Sequence, residues 1–224
     1  MTKIFYTLLF LLLVNYADAQ QDKIDLTKLT NQTQQFQQTE NDMNFCWWLP
    51  IEYWIASAQS TGNQSISDAV FIQQVLSNYE IFAFLKGDVS DIATVTYKPK
   101  AYFENSIEIK NDNGELLQYV KEDEMSAESQ TILFLLKPLL QNLLGEMGNN
   151  LHFFAFKAYN SAGKRILDPK KEGKFRVKTV DNEYLFRLPL GALLPPKTCP
   201  IDNEEFDGSW KYCPYHGNEL ILND

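Results

Sequence analysis

The sequence predicts an α+β protein built on a mostly antiparallel sheet. Three observations carry that prediction. Apolar runs of strand length recur, at Ile81–Leu85, Leu151–Tyr159 and Phe175–Val180. Several are joined by hairpin-sized turns, and short connections favour antiparallel pairing. Helical patterns come early and in the middle of the chain, where a Trp-rich helix and a long apolar helix can cover the sheet.

The first 19 residues read as a secretory signal peptide. Lys3 is followed by an apolar run, Ile4–Val14, and then by the small residues Ala17-Asp18-Ala19 before Gln20. The run is too short for a hydrocarbon core of ~30 Å, which takes about 20 apolar residues. The expectation is therefore export, to a periplasm or outside the cell, with no membrane span in the mature chain. The formal net charge is −9. Phosphate binding rests on Lys and Arg, so an acidic chain without a basic stripe argues against nucleic acid. The Lys and Arg residues between 164 and 178 read as a solvated hairpin face.

Residues 20–43 are polar and crowded with Gln32, Gln34, Gln35, Gln37 and Gln38. Such a segment buries too little apolar surface to offset the ordering of its backbone, and reads as a flexible lead-in. The α+β domain is expected over 44–196. It opens on NFCWWLPIEYWIAS, which holds three of the four tryptophans. Pro50 suits the first turn of a helix, with Ile51, Trp54 and Ile55 at helical spacing beyond it. Trp47, Trp48, Glu52, Tyr53 and Trp54 have two readings, an aromatic ligand platform or a core plug. As a platform they are the candidate binding surface for a partner protein or small ligand.

A second helix is expected over 69–77, then the strand Ile81–Leu85. Strands follow at 93–97 and 102–109, and Asn111-Asp112-Asn113-Gly114 turns the chain into a return strand, 115–120. Ser126 can cap the longest helix, whose run from Ile132 to Leu144 is apolar nearly all round and predicts a place at the centre of the core. Pro138 predicts a kink or a split within it. After the strand 151–159, Asn160-Ser161-Ala162-Gly163 turns the chain into short strands at 165–167, 175–180 and 184–188. Pro189, Pro195 and Pro196 then mark a boundary before a separate tail, 197–224.

That tail repeats a unit, Cys199-Pro200-Ile201-Asp202-Asn203 and Cys213-Pro214-Tyr215-His216-Gly217. It resembles a zinc ribbon, whose two knuckles carry Cys-Pro-x-Cys and whose second knuckle follows an aromatic and precedes Gly. Trp210 to Tyr215 and Gly217 match the second knuckle. The resemblance implies ligand positions Cys199, Asp202, Cys213 and His216, so Asp and His stand where the family has Cys. One structural zinc fits such a set. A Cys199–Cys213 disulfide is the rival staple for an exported protein, and Cys46 is left over in either case. With either staple the tail reads as structural.

No nucleophile elbow, Walker loop, dinucleotide fingerprint or H-E-x-x-H occurs in the sequence. The expectation is an exported, non-catalytic binding or interaction protein with a stapled C-terminal ribbon, carrying no cofactor or one structural zinc. A carboxylate-dependent hydrolase using Glu52 is one alternative. A structural component of an exported complex, with the ribbon as docking arm, is the other.

Overall fold

The computed structural model describes residues 24–60, 66–92 and 94–222, so the expected signal peptide lies outside the described residues. The chain is α+β, as its turn and strand pattern predicts. The central sheet holds β1 (Gln34–Gln38), β2 (Asp42–Leu49), β3 (Tyr79–Val89), β4 (Val95–Tyr97), β6 (Tyr119–Val120) and β7 (His152–Lys157). Its order is β1-β2-β3-β7-β6, with β4 paired to one end of β3, and every pairing is antiparallel. A second sheet, in the order β5-β8-β9, consists of β5 (Glu108–Asn111), β8 (Gly173–Lys178) and β9 (Glu183–Leu188).

The two sheets meet through aromatic rings. Phe175 of β8 stands edge-on to Trp48 of β2 at 4.9 Å and stacks on Phe186 of β9 at 4.8 Å. Phe82 of β3 joins the same layer. The opposite face of the central sheet carries Trp47 and Ala83 and is covered by helices, with Tyr53 edge-on to Trp47 at 5.3 Å. Strands β2 and β3 are therefore buried on both faces, which is why they read as continuous apolar runs instead of alternating ones. Each large side chain buried there stabilises by ~1.5–3 kcal/mol relative to exposure.

The helices are α1 (Leu26–Thr33), α2 (Ile51–Ser60), α3 (Ile66–Leu76), the single turn α4 (Lys100–Phe103) and α5 (Ala127–Leu143). Ser126 caps α5 as expected, its hydroxyl accepting from the Ser129 N–H. Four sequence expectations are corrected. The Gln-rich segment is not a flexible lead-in from residue 26 onward: it forms α1 and the edge strand β1. Its amides hold it down, because Gln35 and Gln37 donate to the Leu185 and Glu183 carbonyls of β9, and Gln32 accepts from the Ala192 N–H. Trp47 and Trp48 lie on a strand, and only Trp54 is on the helix after Pro50. The stretch 102–109 holds the end of α4 and the start of β5, so it is not one strand.

The fourth correction concerns α5. It buries Leu133 and Leu140 but faces solvent on its other side, so it is not central to the core. It also runs through Pro138 unbroken. Proline removes only the bond to the Phe134 carbonyl, and both residues are exposed enough for water to replace it. Among the described residues no helix is long and apolar enough to cross a membrane.

Candidate metal centre

The C-terminal ribbon is a three-stranded sheet, β11-β10-β12, of β10 (Lys197–Thr198), β11 (Glu205–Phe206) and β12 (Ile221–Leu222). The sequence repeat is a structural repeat. In the first turn the Cys199 N–H donates to the Glu204 carbonyl, and the Asn203 N–H donates back to the Cys199 carbonyl. In the second, Cys213 donates to Asn218 and Gly217 donates to Cys213 at the same spacings. Asn203 and Gly217 both take the left-handed conformation, φ 62° and 69°, which closes each turn. Asn and Gly are the residue types that tolerate it, and this is why they sit four places after each cysteine.

Each turn aims two backbone N–H groups at its own sulfur. Ile201 and Asp202 donate to Cys199, and Tyr215 and His216 donate to Cys213. Both cysteines are buried over Leu220 and Phe206. The His216 Nδ1 reaches 3.4 Å from the Cys199 sulfur and 3.5 Å from the Cys213 sulfur, and the three ligand atoms lie within 4.8 Å of one another. The Asp202 Oδ2 stands 3.7 Å from the same nitrogen. A tetrahedral zinc ion, with bonds of ~2.3 Å to sulfur and ~2.0 Å to nitrogen, separates S from N by about 3.5 Å. The observed spacing matches that geometry.

Electrostatics favour the anionic forms that a metal needs at Cys213 and Asp202, and oppose them at Cys199. Burial opposes ionisation of Cys213, but the His216 and Tyr215 N–H groups, with the imidazole, carry its thiol below the usual value. Burial keeps the Cys199 thiol above it despite its two N–H donors. The Glu204 N–H holds the Asp202 carboxyl below the usual carboxylate range, aided by Cys199 and His216. The two sulfurs are not bonded to each other. The expected Cys199–Cys213 disulfide is not formed in this structure, where the two sulfurs face each other and share the His216 imidazole.

The ribbon is fastened to the body through Asp207. Its carboxylate accepts from Lys28 at 2.8 Å and Gln32 at 3.3 Å of α1, and from the Ser209 N–H at 2.9 Å. The outer ribbon surface leaves Trp210, Tyr212 and Tyr215 exposed, and Phe206 stacks with Trp210 at 5.7 Å. Sequence reasoning passed over these aromatics as display residues. The signal was present, because a ribbon this small has no core able to bury them.

The other sequence-derived site does not form a surface. Trp47, Trp48, Tyr53 and Trp54 are all at most 3 % exposed, so they plug the core and cannot contact a ligand. Glu52 grips the Arg165 guanidinium with both oxygens, at 2.6 and 3.1 Å. The same guanidinium donates to Glu80 through Nε at 2.8 Å, and Glu80 also accepts from the Trp48 indole at 2.8 Å. Burial pushes the Glu80 carboxyl up to about 7, against the pull of Arg165 and Trp48. Every polar atom of this cluster has a partner, which makes it a structural tie between β2, β3, α2 and the loop at 165. Sequence gave no signal for it, since Arg165 and Glu52 are 113 residues apart. Cys46 is fully buried, and burial alone pushes its thiol well up, away from nucleophilic use.

Compared with known proteins, the chain matches no family model, no curated protein and no solved structure.

Proposed function

We propose that the protein is an exported, non-catalytic interaction protein whose C-terminal ribbon is set by one structural zinc ion and presents aromatic side chains to a partner. Cys199, Cys213 and His216 are the ligands, with Asp202 completing four-coordination. One observation carries the reading: three ligand atoms from two matching turns converge within 4.8 Å, at the S–N spacing of a tetrahedral ion. With all four positions filled by protein, the ion holds structure and leaves no open position for substrate. Bound there, zinc would fix the two turns and so hold Trp210, Tyr212 and Tyr215 in place. Trp and Tyr are enriched among the residues that dominate binding energy at protein interfaces. Export rests on the pattern Lys3, Ile4–Val14, Ala17-Asp18-Ala19.

Metal analysis combined with a thiol count under native and denaturing conditions tests the zinc reading. One zinc per chain, lost together with protection of two thiols on denaturation, supports it. Freely reactive Cys199 and Cys213 in the native, metal-free protein would overturn it. N-terminal sequencing of the exported chain tests cleavage before Gln20.

A further inference from the structure

Helix α5 has two apolar faces and uses only one of them on its own chain. Leu133 and Leu140 are buried against the body. Phe134, Leu135, Leu139 and Leu143 stand 72 %, 58 %, 60 % and 68 % exposed, with exposed Pro138 among them. At about 100° per residue these five form one stripe roughly 180° wide, opposite the buried one. Thr131 and Asn142 are the other residues in that stripe between 131 and 143, and neither is charged. Lys137 lies off it, with its ammonium 3.0 Å from Glu122. Scattered exposed leucines are ordinary, but a contiguous uncharged stripe of this size marks an interaction site.

We infer that a second copy of this chain packs on this stripe, as an antiparallel α5 pair about a two-fold axis near Pro138 and Leu139. The pairing is self-complementary, as a two-fold interface must be. Leu135, Pro138 and Leu139, nearest the midline of the stripe, face the same residues of the other copy across the axis, with Phe134 and Leu143 on its two flanks. The four Phe and Leu residues leave roughly 500 Å² exposed per copy. Two copies then cover at most about 1,000 Å², the size of a weak, reversible interface.

Charge decides against a lipid surface. Helices that lie on membranes flank the apolar face with Lys and Arg, which meet anionic headgroups. Here the one Lys of α5 is paired to Glu122, and the chain carries net charge −9. For two copies the uncharged stripe avoids desolvating any ion, and salt screens the remaining repulsion.

Sedimentation equilibrium of the purified mature chain tests the pairing, with protein concentration and NaCl varied. The expected result is a monomer–dimer equilibrium that shifts toward dimer as salt rises. Leu139→Glu sets two carboxylates against each other at the axis and weakens the dimer at least roughly tenfold, with unchanged circular dichroism because the side chain is already in water. Tyr215→Ser, on the ribbon, leaves the equilibrium unchanged. A monomer at every concentration up to about 100 µM overturns the inference. So does a dimer that survives Leu139→Glu, or one lost only with Tyr215→Ser. Flotation of the monomer with phosphatidylcholine–phosphatidylserine vesicles, abolished by Leu139→Glu, assigns the face to lipid and overturns it too.

Discussion

Replacing Glu80 by Gln should remove a pH dependence from the stability of this protein. Glu80 is fully buried, and its carboxyl is pushed up to about 7 from its ordinary value of 4.5, chiefly by loss of hydration. Between those values the folded chain keeps a proton that the unfolded chain releases. The group's stabilising contribution is therefore complete below about pH 4.5 and is lost as pH rises through about 7. A difference of about 2.5 units at ~1.4 kcal/mol per unit amounts to about 3 kcal/mol. Gln cannot titrate, so subtracting the stability of the Gln variant isolates this contribution from every other group. Urea unfolding at pH 5, 6, 7 and 8 measures it. The wild-type-minus-variant difference should fall by about 2.5 kcal/mol from pH 5 to pH 8, the rest having been lost below pH 5. Parallel profiles would refute the reasoning and mean that Arg165 and Trp48 keep Glu80 ionised throughout.

Further expectations follow from the same contacts. Trp48→Phe removes the indole donor to Glu80 while keeping a ring against Phe175, and should cost about 1–3 kcal/mol at neutral pH, read by chemical denaturation. Gly191→Ala places a methyl group 1.6 Å from the Asp207 carboxylate, which must leave Lys28 and Gln32. It should cost about 1–3 kcal/mol and speed protease cleavage between 194 and 198. Gln35→Ala should cost about 1 kcal/mol, because the Leu185 carbonyl loses a donor and the edge of β9 is uncovered.

Local chemistry made much of the fold legible. The cap at Ser126, the turns at Gly114 and Gly163 and the strand after Leu151 all lie where residue type and period put them. The misreadings share a cause, which is that composition does not say what lies on the far side of an element. The Trp47–Trp54 segment reads as a Trp-rich helix because a strand buried on both faces loses its alternation, so nothing in the pattern separates Trp47 and Trp48 from the helix after Pro50. Helix α5 resembles a core helix because its uncovered face is as apolar as its covered one. The Gln-rich segment resembles disorder because its hold comes from side-chain amides reaching β9 and Ala192, more than 140 residues away. At the ribbon the zinc-ribbon resemblance pointed to Cys199, Asp202, Cys213 and His216, and the structure brings these side chains together because a turn closed over four residues is a local object. The choice between disulfide and metal was not legible, since it depends on where two sulfurs from different turns point.

That choice is open to one direct measurement: native mass spectrometry of the chain before and after denaturation, with alkylation of free thiols. A structural zinc at Cys199, Asp202, Cys213 and His216 requires one bound zinc in the native chain and three alkylatable thiols, including Cys46, once it is unfolded without reductant. A metal-free chain lighter by the two hydrogens of a disulfide, with only one thiol open to alkylation after unfolding, would contradict it.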